Sequence, residues 1–163
     1  MRTVKARPLT LESFSPYGQF ADLLHPEGEK IGELPVAFYR DMVSVFTGEQ
    51  VTSFSVVLTS KRAMVPEDAE QHVAGTEVLI PLDGDIVVFA APATDRVYPA
   101  GKEEAFVVPK GTMVAFRPGV WHKAPFPVDR ETVSTVVVLP EREYARDCVV
   151  IPLEGDARFA IEL

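Results

Sequence analysis

An all-β fold, a barrel or sandwich with one or two short helices, is what this chain predicts. Three observations carry it: short apolar runs rich in Val, Ile and Phe, punctuation between them by Gly, Pro and Asp, and only one short segment with a clear helix signature. In chain order the predicted strands are residues 3–8, 19–24, 36–46, 51–60, 70–73, 77–82, 85–91, 105–109, 112–116, 121–126, 132–139, 148–152 and 157–162. The helical segment follows the first strand: Thr10 caps Leu11-Glu12-Ser13-Phe14, and Pro16 with Gly18 ends it. Within 51–60, Ser53, Ser55 and Thr59 alternate with Phe54, Val56 and Leu58, which predicts one wetter and one buried face. Asp83-Gly84, lying between Val78-Leu79-Ile80 and Ile86-Val87-Val88-Phe89, predicts a hairpin. A second helical turn is predicted over Pro140–Ala145, where proline leads and acids occupy the first turn. No repeat, low-complexity tract or linker divides the chain, so residues 1–163 are expected to form a single domain.

The 163 residues are 47% apolar, enough for a sizeable core. No run approaches the roughly 20 apolar residues of a membrane span, and no apolar segment follows the charges of Met1-Arg2-Thr3-Val4-Lys5, so a soluble cytoplasmic protein is expected. The one cysteine, Cys148, excludes an internal disulfide and reads as a small buried residue beside Val149-Val150-Ile151. A net charge of −8 leaves no basic stripe for phosphates, which argues against nucleic acid as a partner. The edges of a small barrel must be paired or covered. The β-branched run Val133–Leu139 suits pairing across a two-fold, and a homodimer is expected.

Four residues stand out by spacing. Glu70 and His72 lie two apart and therefore share a strand face. Gly75-Thr76 then allows a bend that presents Glu77 toward the same point, and His122 follows Arg117-Pro118-Gly119-Val120-Trp121. Two imidazoles and two carboxylates suit a divalent first-row metal with positions left for water or substrate, whereas the absence of thiolates disfavours a closed structural zinc. Nickel, zinc, manganese and iron all remain open. His25, in His25-Pro26-Glu27-Gly28, reads as a loop residue, and Glu70 in Glu67-Asp68-Ala69-Glu70 reads equally well as part of a solvated acidic turn. Trp121 reads as a packing residue, because alternation turns it away from the face of His122.

The two clusters resemble the two cupin motifs. The first of those usually reads His-x-His, four residues, Glu, six residues, Gly; here Glu70 takes the first position, with His72, Glu77 and Gly84 after it. The second usually carries Pro-x-Gly-x-x-His, and here Arg117 takes the proline slot before Gly119 and His122. The resemblance implies a cupin-type β-barrel, a double-stranded β-helix or jelly roll.

Over most of its length the chain further resembles the ureidoglycolate lyase family. The matching pieces are Leu9-Thr10-x-x-x-Phe14-Ser15-x-Tyr17-Gly18, Phe38-Tyr39-Arg40-Asp41, His72-Val73-Ala74-Gly75-Thr76-Glu77 with Ile80-Pro81, and Val120-Trp121-His122. The resemblance implies a single barrel that dimerises, and cleavage of ureidoglycolate to glyoxylate and urea in allantoin and purine nitrogen catabolism. It also implies a divalent metal, and a dimer in which Tyr39 and Asp41 reach a neighbouring site. Two departures mark this copy: Glu77 follows the Gly-Thr pair where glutamine is as frequent, and the stretch around Arg117 is closer to a general cupin.

The chemistry follows from the substrate class. Ureidoglycolate carries a carboxylate, a hydroxyl and a ureido nitrogen on one carbon, so its cleavage needs a base at the hydroxyl and an acid at the leaving nitrogen, with no redox step. His72, His122, Glu77 and Glu70 are the candidate metal ligands, and Glu77, Glu70 and His122 the candidate catalytic groups. The glutamate not engaged by metal is the expected base. Arg117 and Lys123 flank His122 and are candidates for the substrate carboxylate, with Arg117 preferred for its planar fork and Tyr39 added by the resemblance. Two further readings stay open: another metal-dependent cupin enzyme, a dioxygenase or isomerase of a small carboxylate, and a non-catalytic cupin that binds a small acid.

Overall fold

A computed structural model describes residues 1–48 and 50–163. Its strands are β1 (Arg2–Pro8), β2 (Gly18–Asp22), β3 (Lys30–Ile31), β4 (Phe38–Tyr39), β5 (Thr52–Ser60), β6 (Asp68–Gln71) and β7 (Glu77–Pro81). They continue with β8 (Ile86–Ala90), β9 (Glu104–Val108), β10 (Thr112–Phe116), β11 (Phe126–Pro127), β12 (Thr132–Pro140), β13 (Val149–Pro152) and β14 (Phe159–Glu162). Two helical turns, α1 (Leu11–Phe14) and α2 (Glu143–Arg146), complete the chain, together with a 3₁₀ turn at Gly155–Ala157. One five-stranded sheet runs β11-β8-β9-β1-β14, the other β2-β10-β7-β12-β5, and β13-β6 and β3-β4 form two small pairs.

The large sheets close on one another as a cupin-type barrel. Between them lie Leu79, Val114, Phe116 and Val133 from one sheet and Ile86, Val88, Phe106 and Val108 from the other. The expected Thr10 cap is present in reciprocal form, Ser13 N–H donating to Thr10 Oγ1 at 3.1 Å and Thr10 N–H to Ser13 Oγ at 3.2 Å. It aims Phe14 into the core, edge-on to Phe106 at 5.2 Å between ring centres. The unbroken apolar run of β8 is explained by burial on both faces, since Val87 and Phe89 join a second cluster with Trp121, Phe126, Leu153 and Phe159 on the far side. Trp121 packs as expected, fully buried and donating from Nε1 to Thr94 Oγ1 at 2.8 Å.

Five expectations are corrected. The Asp83-Gly84 turn does not make a hairpin, because β7 pairs with β10 and β12 while β8 pairs with β9 and β11. The connection carries the chain from one sheet to the other. Asp83 Oδ1 accepts Ser134 N–H and Asp85 Oδ1 accepts Lys110 N–H, both at 2.8 Å, and each carboxylate fastens one side of the crossing. Of the long strand expected over 36–46, only Phe38–Tyr39 pairs, with Lys30–Ile31. Of the strand expected over 121–126, Trp121 and His122 form single bridges to Ala91 and Glu70, and only Phe126–Pro127 lies in a ladder.

The other two corrections concern β5 and β12. Val133–Leu139 cannot pair with a second copy, since β12 is bonded to β5 along one side and to β7 along the other. The edge strands of that sheet are β2 and β5, and the faces of β5 are the reverse of the hydrophobic expectation: Phe54, Val56 and Leu58 are 75%, 60% and 67% exposed, while Thr59 is buried.

Candidate metal centre

The motif residues reach one point because the backbones that carry them are bonded together. Glu70 and His122 exchange N–H···O=C bonds at 2.8 and 3.0 Å, and Gly119 N–H donates to the His72 carbonyl at 2.6 Å. Gln71, on the opposite face of β6 from Glu70 and His72, donates from Nε2 to the carbonyls of Gly119 and Thr94, locking the turn before His122 onto the strand. Gly119 has φ +85°, and a Cβ there would press on Ala93 at 3.2 Å, so this position needs glycine. Glu77 enters from the first residue of β7, in register with Phe116 of β10.

Glu70, His72, Glu77 and His122 each offer one donor atom, and these atoms lie within 4.8 Å of one another. His72 Nε2 and His122 Nε2 approach the same oxygen, Glu77 Oε2, at 3.1 and 3.0 Å. Each ring also has a carbonyl at its other nitrogen: His72 Nδ1 lies 2.8 Å from Asp147 O and His122 Nδ1 3.0 Å from Val120 O. A carbonyl only accepts, so both Nδ1 atoms carry hydrogen and each Nε2 is the nitrogen left to face the carboxylate. A lone pair pointed at an anionic oxygen is unfavourable, and either protons or a cation must lie between them. Glu77 is buried; burial alone would raise its carboxyl pKa, but the charge and hydrogen bonds of His122 and His72 outweigh it and bring it to about 2. Burial likewise opposes charge on His72, and the hydrogen bond and charge of Glu77, aided by the Asp147 carbonyl, hold its pKa at about 9. Two Nε2 donors turned by their Nδ1–H bonds onto a permanent carboxylate fit a divalent cation, which would take the place of those protons.

The second carboxylate sits at the rim. Glu70 is half-buried, and its Oε2 accepts from Lys123 Nζ at 3.0 Å; the same ammonium reaches Asp68 Oδ1 at 3.0 Å. Cys148 Sγ lies 4.0 Å from Glu70 Oε2, so this cysteine is half-buried against the site and not in the core. Burial first and Glu70 second push its thiol up to about 11, so without a metal it is a neutral thiol near neutral pH. Lys123 and Asp68 also line an open cavity of about 710 Å³ whose other walls include Arg62, Glu67, Phe126 and Arg158. The four donor residues do not line this cavity, so Lys123 and Asp68 are its link to the centre.

The structure brings together Glu70, His72, Glu77, His122 and Lys123. It leaves Arg117 exposed in the turn before Gly119, its backbone N–H bonded to Tyr17 O and its carbonyl to Val120 N–H. Tyr39 belongs to the β3–β4 pair, opposite Lys30. Among the described residues, no hydrogen bond or ion pair joins Arg117 or Tyr39 to the centre. Two neighbours escaped the sequence reading. Phe116 stacks on His122 at 4.6 Å with a 10° tilt, and its position two residues after Val114 on β10 was a usable signal. Asp147, which holds the ring of His72 from a distant loop, left none.

Comparison with known proteins bears directly on this geometry. The family model described as Ureidoglycolate lyase matches residues 1–160. A ureidoglycolate lyase of Pseudomonas paraeruginosa is 28% identical over 145 residues, spanning 84% of this chain and 83% of that protein. One from Escherichia coli is 27% identical over 128 residues, 77% and 80% of the two chains. Among solved structures, a dTDP sugar isomerase of Desulfovibrio desulfuricans aligns over 85% of both chains with a TM-score of 0.52 and 17% identity, a likeness of fold alone. A family match that runs from the first strand to the last, over a chain whose paired motifs meet at one buried carboxylate, identifies this protein as a member of the ureidoglycolate lyase family.

Proposed function

We propose that this protein, acting as a single domain over residues 1–163, is a carbon–nitrogen lyase that cleaves ureidoglycolate to glyoxylate and urea in purine-derived nitrogen catabolism. The observation that carries the reading is the convergence of both motif histidines on Glu77 in a chain matched by the lyase family from residue 1 to residue 160. His72, His122 and Glu77 would hold a divalent metal, and Glu70 stands beside them at the rim. A bound divalent ion supplies Lewis-acid polarisation and lowers the pKa of a hydroxyl that it contacts.

The chain's own groups account for the proton transfers. Glu77 is already committed to both imidazoles, so Glu70 is the base: its carboxylate takes the hydroxyl proton as the C=O bond forms and the C–N bond breaks. The hydroxyl oxygen and the ureido nitrogen share one carbon, so the proton held on Glu70 has a short path to the departing nitrogen, and urea leaves neutral. Lys123, between Glu70 and the cavity, supplies the positive charge for the substrate carboxylate; Arg117 and Tyr39 would need a movement or a second subunit to contribute. The test is anaerobic incubation with racemic ureidoglycolate, with and without chelator. Stoichiometric urea and glyoxylate are expected without oxygen. Turnover only with oxygen and Fe(II) would favour a dioxygenase instead, and ligand-dependent thermal shifts without turnover would leave a binding protein.

The working form is proposed to be a homodimer built on the open edge of β5. An exposed edge strand bearing Phe54, Val56 and Leu58 is a liability in isolation, and antiparallel pairing with its own copy about a two-fold covers backbone and side chains together. Light scattering should give twice the chain mass, and Phe54→Asp should shift the protein to monomer at micromolar concentration. A Phe54→Asp protein that keeps the wild-type mass would place the interface elsewhere. No helix in the described residues is long and apolar enough to cross a membrane, and a cytoplasmic location is proposed with the lone reduced Cys148 in support.

A further inference from the structure

The two imidazoles of the centre are anchored in different ways. His122 is held locally, by the Val120 carbonyl two residues earlier and by the ring of Phe116 beneath it. His72 has no local partner for its Nδ1 among the described residues. Its Nδ1–H donates to the carbonyl of Asp147, 75 residues away, at 2.8 Å. The side chain of the same aspartate turns back over the loop after His72, where Oδ2 accepts the N–H of Val73 at 2.7 Å and of Ala74 at 2.5 Å. One residue from a remote part of the chain thus holds both the ring and the backbone that carries it.

Asp147 is itself seated. Its N–H closes α2 by donating to Glu143 O at 2.8 Å. The Glu143 side chain is buried, neither of its carboxyl oxygens has a hydrogen-bond partner among the described residues, and it presses on the same loop: a Cβ added to Gly75 would stand 3.2 Å from Glu143 Oε1. The segment from Glu143 to Asp147 therefore packs on the loop between His72 and Glu77.

We infer that Asp147 is the positioning residue of the centre. It fixes the plane and tautomer of His72 so that Nε2 faces Glu77, and it makes docking of the Glu143–Asp147 segment part of forming the site. The inference rests on reading the cluster as a metal centre and deepens that reading. A cation that binds only the docked arrangement stabilises it by mass action, and loosening the grip must weaken the cation by the same factor. Partners that orient a ligating histidine typically carry about 10- to 100-fold in metal affinity.

The experiment compares wild type, Asp147→Ala and Asp147→Asn, with Zn²⁺ as the probe. Asp147→Ala keeps the carbonyl that faces His72 Nδ1 and removes only the carboxylate clamp on Val73 and Ala74. In metal-free protein, proton NMR should therefore show a protected His72 Nδ1–H in wild type, lost to exchange in Asp147→Ala as the loop releases from the Glu143–Asp147 segment, and restored in Asp147→Asn, whose amide oxygen accepts from Val73 and Ala74. Calorimetric titration should show Zn²⁺ bound about 10- to 100-fold more weakly by Asp147→Ala and within about 3-fold of wild type by Asp147→Asn. Hydrogen exchange of wild type should slow at the Val73 and Ala74 amides when Zn²⁺ is added. An Asp147→Ala protein that keeps the Nδ1–H signal and binds Zn²⁺ within 2-fold of wild type overturns the inference. If that variant does not fold, unchanged Val73 and Ala74 exchange in wild type overturns it. If wild type takes up no Zn²⁺, the metal reading fails, and the positioning role stands or falls on the Nδ1–H signal alone.

Discussion

His72→Ala and His122→Ala are each expected to lower ureidoglycolate cleavage by on the order of 1,000-fold, with circular dichroism and the cooperative unfolding transition retained. The magnitude follows from what each ring does. The two Nε2 atoms meet one carboxylate oxygen, so removing either takes away a donor and leaves Glu77 buried with half of its compensation. Loss of one preorganised electrostatic partner in a buried site costs about 100- to 1,000-fold by itself, and loss of the cation's hold adds to it. The two substitutions should not be additive, because either one already dismantles the shared geometry. His122→Ala should also be the less stable protein, since its ring fills the space over Phe116 and is 2% exposed. The readout is urea and glyoxylate release alongside thermal unfolding. Rates within about 3-fold of wild type in both variants would remove the centre from the mechanism.

Much of this centre was legible in the chain because its parts obey local rules. Alternation on a strand puts Glu70 and His72 on one face and turns Gln71 to the other, and glycine at position 119 meets a backbone demand that no other residue satisfies cheaply. The strands themselves were legible from their β-branched and aromatic content, and α1 from its cap. What stayed hidden depends on partners. Asp-Gly at 83–84 encodes a sharp reversal, but whether the next strand returns beside β7 or crosses to the other sheet is decided by Ser134 and Lys110, far off in sequence. The alternation in β5 does mark two faces, yet Phe54, Val56 and Leu58 are the exposed one and Thr59 is the buried residue of the strand, because the hydrophobic face is spent outside the barrel. Asp147 is the clearest case: an acid in a polar loop carries no periodicity or motif, and only the folded chain shows it against His72. The choice between Arg117 and Lys123 turned on the same limit. Both flank His122 in sequence, and the structure sets only Lys123 beside Glu70.

Metal-free protein is expected to be most stable in mildly acidic solution and to lose on the order of 3 kcal/mol between pH 6 and pH 9.5. His72 titrates near 6.5 when unexceptional and at about 9 in the fold, so its contribution is complete below 6.5 and vanishes as pH rises through 9. Glu77 moves from 4.5 to about 2, so its contribution is complete above 4.5 and is lost as pH falls toward 2. The His72–Glu77 contact contributes to both shifts and is counted once, while His122 supplies the larger part of the lowering at Glu77. Cys148, raised chiefly by burial to about 11, adds a smaller loss of the same sign above about pH 9. The window stops at 9.5 because Tyr17 and Tyr98, both raised chiefly by burial, add theirs above 10, where tyrosines of the unfolded chain ionise. Glu77→Gln separates the contributions: without the carboxylate His72 loses the partner that holds its proton, and the slope between pH 6 and 9.5 should flatten. Added Zn²⁺ should reverse the trend in wild type, since a cation competes with the proton for Nε2 and binds more tightly as that proton becomes easier to remove. Urea denaturation at four or five pH values, with and without Zn²⁺, measures all three curves. Equal metal-free stability at pH 6 and 9.5 in wild type would mean that His72 carries no proton toward Glu77, and the electrostatic account of the centre would have to be abandoned.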